Sequence, residues 1–172
     1  MLRSAGLAFQ VRATGLEEVR NPGEPPGAYV ERLARDKAFA LQDAGEDWVL
    51  AADTTVVAGD QVLEKPTSHE DAARMLRLLA GAWHEVMTGV CLRRGRECWT
   101  AVESTRVRFL PMIEAEIQDY VASGEPMDKA GAYGIQGLAS KFIDRVEGCY
   151  FNVVGLPVAR VYALLKKAGY KS

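Results

Sequence analysis

WHEVMTGVCLRRGRECWTAVESTRVRFL, residues 83–110, decides the architecture. Two long β-rich runs, 83–94 and 97–110, meet at Gly95-Arg96. A connection that short allows only an antiparallel hairpin. Arg93, Arg94 and Arg96 crowd its tip and read as a small solvated basic turn. Before it, WVLAADTTVVA (48–58) is another β-rich run, broken at Gly59-Asp60, and QVLEKP (61–66) returns as a hairpin arm. LAFQVRAT (7–14) reads as a strand, and SKFIDRVEGCYFNVVG (140–155) as a further hairpin.

Helical patterns interrupt these strands. AYVERLARDKAFALQDAG (28–45) starts beside Pro25-Pro26, repeats Tyr29, Leu33 and Phe39 at helical spacing, and has Gly45 as its stop. Thr67 to Glu70 and Ser68 to Asp71 both fit a capping box before the apolar stripe Ala72, Met75, Leu76 and Leu79. IEAEIQDYVASG (113–124) lies between Pro111 and Gly124, and PVARVYALLKKAG (157–169) closes the chain with lysines in its last turn. EEVRNPGEPPG (17–27) is a polar, proline-rich loop. Strand pairs separated by helices, with no repeat and no long linker, predict one α/β or α+β domain over residues 1–172.

Composition excludes several classes. A net charge of −2 gives no global field for a nucleic acid polymer. No apolar run reaches the length of a membrane span, and MLRSAGLAFQ has no signal-peptide core. Cys91, Cys98 and Cys149 are an odd number without CxxC spacing, which fits free thiols in a reducing compartment better than disulfides or zinc. His69 and His84 are the only histidines, so a histidine-rich metal site or a Ser-His-Asp triad has little support. MLRSAG reads as one helical turn capped by Gly6. A lone turn is costly to nucleate, so it is either the end of an element whose first half is missing or a frayed terminus.

A few residues could carry chemistry. Asp53 follows the apolar run WVLAA, where an acid is expensive without a partner or metal; a turn-capping role is the plainer reading. Lys65 is held extended by Pro66 and could meet a phosphate as a point charge, or be an ordinary edge lysine. Lys37 shares a helix face with Leu33, Ala34 and Leu41 and either snorkels or points into a cleft. Glu17 and Glu18 could hold a hard cation or simply be solvated. Gly131, Gly134 and Gly137 form no known phosphate fingerprint; a turn packed against a strand explains them equally well. Carboxylates, lysines and a divalent metal together are suited to polyphosphate chemistry.

Five stretches then carry a resemblance: GLEE (15–18), YVERLARDKA (29–38), AADTTVV (51–57) with LEKP (63–66), GEPMDKAGAYGIQG (124–137) and NVVGLP (152–157). In this order they resemble the Maf family of nucleoside triphosphate pyrophosphatases, over essentially the whole chain. GAYGIQG resembles the subgroup acting on dTTP and UTP. The resemblance implies an elongated α/β fold, with a mixed twisted sheet flanked by helices and a cleft between two lobes. It implies attack of water on a nucleoside triphosphate, releasing the monophosphate and pyrophosphate, with Mg²⁺ or Mn²⁺.

By the same resemblance Asp53 is the proton acceptor or a metal ligand, and Glu18 an acid near the metal. Lys37 and Lys65 contact phosphates, and Thr54 and Gln136 govern substrate choice. The glycines would let the backbone turn closely around the base. A cytoplasmic homodimer, nucleotide house-cleaning and a link to septum formation are also implied. The family's opening strand and turn, of the form LASxSPRR, has no counterpart here. Its loss implies impaired turnover and an unpaired sheet edge prone to aggregation. The alternatives are a binding module that keeps part of the cleft without turnover, and an unrelated α/β scaffold.

Overall fold

The hairpin of residues 83–110 forms the centre of a five-stranded sheet in the computed structural model, which describes residues 1–171. Strands β1 (Trp48–Ala58), β2 (Gln61–Leu63), β3 (Trp83–Arg94), β4 (Glu97–Phe109) and β5 (Ile143–Glu147) take the order β2-β1-β3-β4-β5. Every pairing is antiparallel, where a mixed sheet was expected. β3 is paired along its length, from Trp48↔Arg94 to Val57↔Glu85 on one side and from Trp83↔Arg108 to Arg94↔Glu97 on the other. β1 differs: β2 covers only Val56, Val57 and Ala58, so its outer edge from Trp48 to Thr55 meets no described strand.

Alternation along the strands sends successive side chains to opposite faces. One face is covered by α1 (Pro26–Ala40), which buries Tyr29, Val30, Leu33, Ala34 and Ala38. Gly89 allows its close approach, because a Cβ there would overlap the main-chain carbonyl of Val30. The other face carries α2 (His69–Leu79), α3 (Glu114–Ala122), the glycine-rich segment, the short helix α4 (Tyr150–Val153) and α5 (Val158–Lys167). Leu63, Leu76, Leu79, Val86, Val107, Phe109 and Tyr120 form its main core, and Val90, Leu92, Val161 and Leu164 a second cluster under α5. Ser68 caps α2 by accepting the Asp71 N–H.

Four local expectations are corrected. Residues 7–14 form no strand; Val11 is 84% exposed, and no strand among the described residues pairs with the segment. Residues 140–155 are not a hairpin: β5 is followed at Gly148 by α4 rather than by a second strand. The helix expected to Gly45 ends at Ala40, with a separate 3₁₀ turn at Gln42–Ala44. Arg93 is not solvated. It is buried, lies 5.3 Å over the Phe39 ring, and donates to the Leu41 carbonyl at 2.9 Å. MLRSAG does form a short turn, Arg3–Ala5, closed by Gly6 with φ 78°. All three cysteines are free thiols.

Candidate active site

A cavity of about 560 Å³ runs along the open edge of β1. Ala52, Asp53, Thr54 and Thr55, on the part of the edge that β2 leaves bare, line it in succession, and so does Val56, where β2 begins to pair. The cavity therefore reaches both faces of the sheet. Glu18, Lys37, Lys65 and Gln136 line it as well, so the fold brings these candidates together with Asp53 and Thr54, while Glu17 does not line the cavity.

Asp53 sits within β1 rather than at its end, opposite Gly89 and facing α1. Lys37, three residues from the end of α1, reaches across to it. Its ammonium donates to Asp53 Oδ1 at 2.6 Å and meets Glu18 Oε1 at 2.7 Å. The Asp53 side chain is 7% exposed. Burial pushes its carboxyl above the usual range, and Lys37 draws it back only in part. Burial works against the Lys37 charge too, but the hydrogen bonds to Asp53 and Glu18 outweigh it and raise its pKa. Glu18 lies in an irregular segment that α1 holds in place: Arg32 donates to the Val19 carbonyl at 2.9 Å and forms a two-pronged pair with Glu24 at 2.7 Å. That pair holds the Glu24 carboxyl at about 2.

Lys65 and Gln136 are exposed and have no hydrogen-bond or ion partner among the described residues. Lys65 is thus free to meet an anion. Gln136 can offer an amide donor or acceptor. Thr54 is on the other face from Asp53, with its hydroxyl 2.8 Å from that of Thr88.

The glycines answer to the protein's own packing. Gly131, at φ 69°, lies against Val56 of β1, where a Cβ would come within 2.7 Å. A Cβ on Gly134 would meet the Lys129 side chain at 2.8 Å, and one on Gly137 would overlap the Glu125 carboxylate. That carboxylate accepts the Tyr120 hydroxyl at 2.9 Å and the Leu138 N–H at 3.0 Å, which folds the loop carrying Gln136 around it. Packing against a strand accounts for Gly131; Gly134 and Gly137 instead make room for the side chains of Lys129 and Glu125 within the loop itself.

Sequence reasoning missed Glu64, Tyr29 and Lys129, which also line the cavity. Tyr29 donates to the Glu64 carboxylate; burial first, and then this bond, raises its pKa. Glu64 adjoins Lys65 in LEKP, and that adjacency was the available signal. Asp53 and Glu18 supply hard oxygen donors and already share one cation, the Lys37 ammonium, so the donor set fits Mg²⁺ or Mn²⁺. No group of three or more His, Cys, Asp or Glu among the described residues is arranged to hold a metal alone. This is the usual situation for Mg²⁺, which takes one or two carboxylates and completes its shell with substrate phosphates and water.

Comparison with known proteins places this geometry in context. The family model described as Maf-like protein matches residues 1–168. The chain is 51% identical over 170 residues to a dTTP/UTP pyrophosphatase of Koribacter versatilis, covering 98% of this chain and 88% of that protein. It is 49% identical over 175 residues to one from Hahella chejuensis, covering 99% and 87%. A third, from Geobacillus sp., is 46% identical over 171 residues, covering 99% and 92%.

Proposed function

The chain belongs to the Maf-like protein family, and on that premise we propose that it hydrolyses dTTP and UTP to the nucleoside monophosphate and pyrophosphate. The observation that supports this most directly is the pairing of buried Asp53 with half-buried Lys37, set in a nucleotide-sized cavity beside an uncommitted Lys65. Relatives about half identical over nearly the whole chain bear the name of that activity.

The residues divide the work. Lys65 and Lys37 neutralise the triphosphate as point charges. Asp53 accepts a proton from the attacking water. Its raised pKa makes it a better base than an exposed carboxylate near neutral pH. Water adds to the α-phosphorus, the α–β bridging oxygen leaves with pyrophosphate, and the water's second hydrogen remains on the monophosphate. Asp53 and Glu18 would hold a divalent cation, which supplies charge neutralisation on the phosphates. Gln136 and Thr54 contact the base. The same reading takes the described chain as one Maf-like domain, acting as a cytoplasmic homodimer, which sedimentation tests. No described helix is long and apolar enough to cross a membrane.

Pyrophosphate release from dTTP, UTP, CTP and GTP, with Mg²⁺ or Mn²⁺, tests the proposal. Turnover of dTTP and UTP is expected, lost in Asp53→Asn. Nucleotide binding with no release from any of the four overturns it in favour of a binding module.

A further inference from the structure

Thr88 lies in the middle of β3 with no exposed surface and does not line the cavity. Its hydroxyl stands 2.8 Å from Thr54 Oγ1 and 3.3 Å from the main-chain oxygen of Asn152. Thr54 Oγ1 has one further neighbour, the Gly155 carbonyl at 3.5 Å. Two hydroxyl protons are thus shared among two hydroxyl oxygens and two carbonyls, and the carbonyls only accept.

Two arrangements keep a proton in the 2.8 Å contact and satisfy both hydroxyls within the protein. Thr88 donates to Asn152 and Thr54 donates to Thr88; or Thr88 donates to Thr54 and Thr54 donates to Gly155. The first uses the shorter contacts. In both, a protein oxygen takes the Thr54 proton; the first aims it at Thr88, behind the cavity wall, and leaves the lone pairs of Thr54 toward the cavity. The anchor is firm. Asn152 has no exposed surface, and its amide donates to the Val86 carbonyl at 2.8 Å and to Thr105 Oγ1 at 3.0 Å. Thr105 Oγ1 in turn accepts the Cys149 N–H at 3.1 Å, just before α4.

We propose that Thr88 is a specificity-positioning residue: it fixes the Thr54 hydroxyl as a hydrogen-bond acceptor toward the base. This rests on the dTTP/UTP reading above. Uracil and thymine present an N–H at ring position 3, and cytosine presents a lone pair there. An acceptor facing a lone pair leaves two polar groups unpaired, which discriminates strongly. Gln136 cannot make this choice alone, because its amide can turn to offer either group. The selection for an imide base therefore originates one residue behind the cavity wall.

The test compares wild type with Thr88→Val, which keeps the shape and removes the hydroxyl, and with Thr88→Ser, which keeps the hydroxyl. Thr88→Cys, with a weak hydrogen-bonding group, replaces Thr88→Val if that variant fails to fold. Turnover of dTTP against dCTP is measured, and in parallel calorimetric binding of dTMP against dCMP. The preference for the thymine nucleotide is expected to narrow about tenfold in Thr88→Val, with Thr88→Ser close to wild type. Unchanged preference in Thr88→Val overturns the proposal. So does an equal loss in Thr88→Ser, which would mark a packing role. If wild type binds dTMP selectively without turnover, the function reading falls while the binding comparison still decides the role of Thr88.

Discussion

The charge on Asp53 opposes burial, and Lys37 offsets only part of that cost. Two consequences follow at this residue. The rate should rise with pH as Asp53 ionises, with a midpoint above that of an ordinary aspartate, and a pH profile of kcat/KM checks it. Stability moves the other way. A carboxyl whose folded pKa is raised favours the fold below its unfolded pKa and loses that contribution as pH rises through the folded value. Asp53→Asn should therefore lower kcat by about 10²–10⁴ while leaving the melting temperature at neutral pH unchanged or higher. A lower rate with a marked drop in melting temperature would assign Asp53 to the scaffold. Asp53, Thr54 and Lys65 were legible in the sequence because they sit within short motifs. Thr88 and Glu125 were not. Each acts on a residue distant in sequence, Thr88 on Thr54 and Glu125 on the segment up to Leu138, and only the folded chain brings these together.

At the scale of elements, α1 matters most, since it both covers one sheet face and carries Lys37. Its distance from β3 is set at Gly89. Gly89→Ala would put a methyl group into the Val30 carbonyl, forcing the helix outward. Overpacking of this kind costs about 1–3 kcal/mol, and moving α1 also draws Lys37 from Asp53. Thermal melting and pyrophosphate release should therefore fall together. Loss of stability without loss of rate would mean that the lysine reaches Asp53 from a displaced helix. β1, β3 and β4 were legible nearly to the residue, because long β-rich runs bounded by glycine turns leave few alternatives. Residues 140–155 were not. Their apolar residues suit a strand, but Asn152 is fully buried and bonded to Val86 and Thr105, which holds the segment as a turn of helix. Tertiary hydrogen bonds overrode local preference there.

Across the whole molecule, His84 ties stability to pH. It is 3% exposed, its ring lies 5.3 Å from both Phe109 and Tyr133, and its Nε2 is 2.8 Å from the Tyr133 hydroxyl. Nδ1 has no partner, so the neutral ring with its proton on Nε2 is the least costly form. Burial lowers its pKa from 6.5 to about 4. The stabilisation this represents is present above pH 6.5 and is lost as pH falls toward about 4, because the unfolded chain takes a proton that the native ring refuses. The gap is worth about 3 kcal/mol, and the raised Asp53 carboxyl works in the opposite direction. Melting curves between pH 7 and 4 should show the loss, and His84→Phe should flatten it. A variant with the same slope as wild type would assign the acid sensitivity to other groups.

The cavity's wrap around the bare edge of β1 has one more effect. The acid of Asp53 and the hydroxyl of Thr54 are neighbours in the chain, on opposite faces of one strand. A single trans peptide, about 3.8 Å between Cα atoms, is the whole distance between the two backbone positions. That interval is covalent, so breathing of the surrounding elements leaves it unaltered. On the proposed function, the molecule carries its own ruler, with the reacting end and the reading end of a nucleotide graduated on one strand.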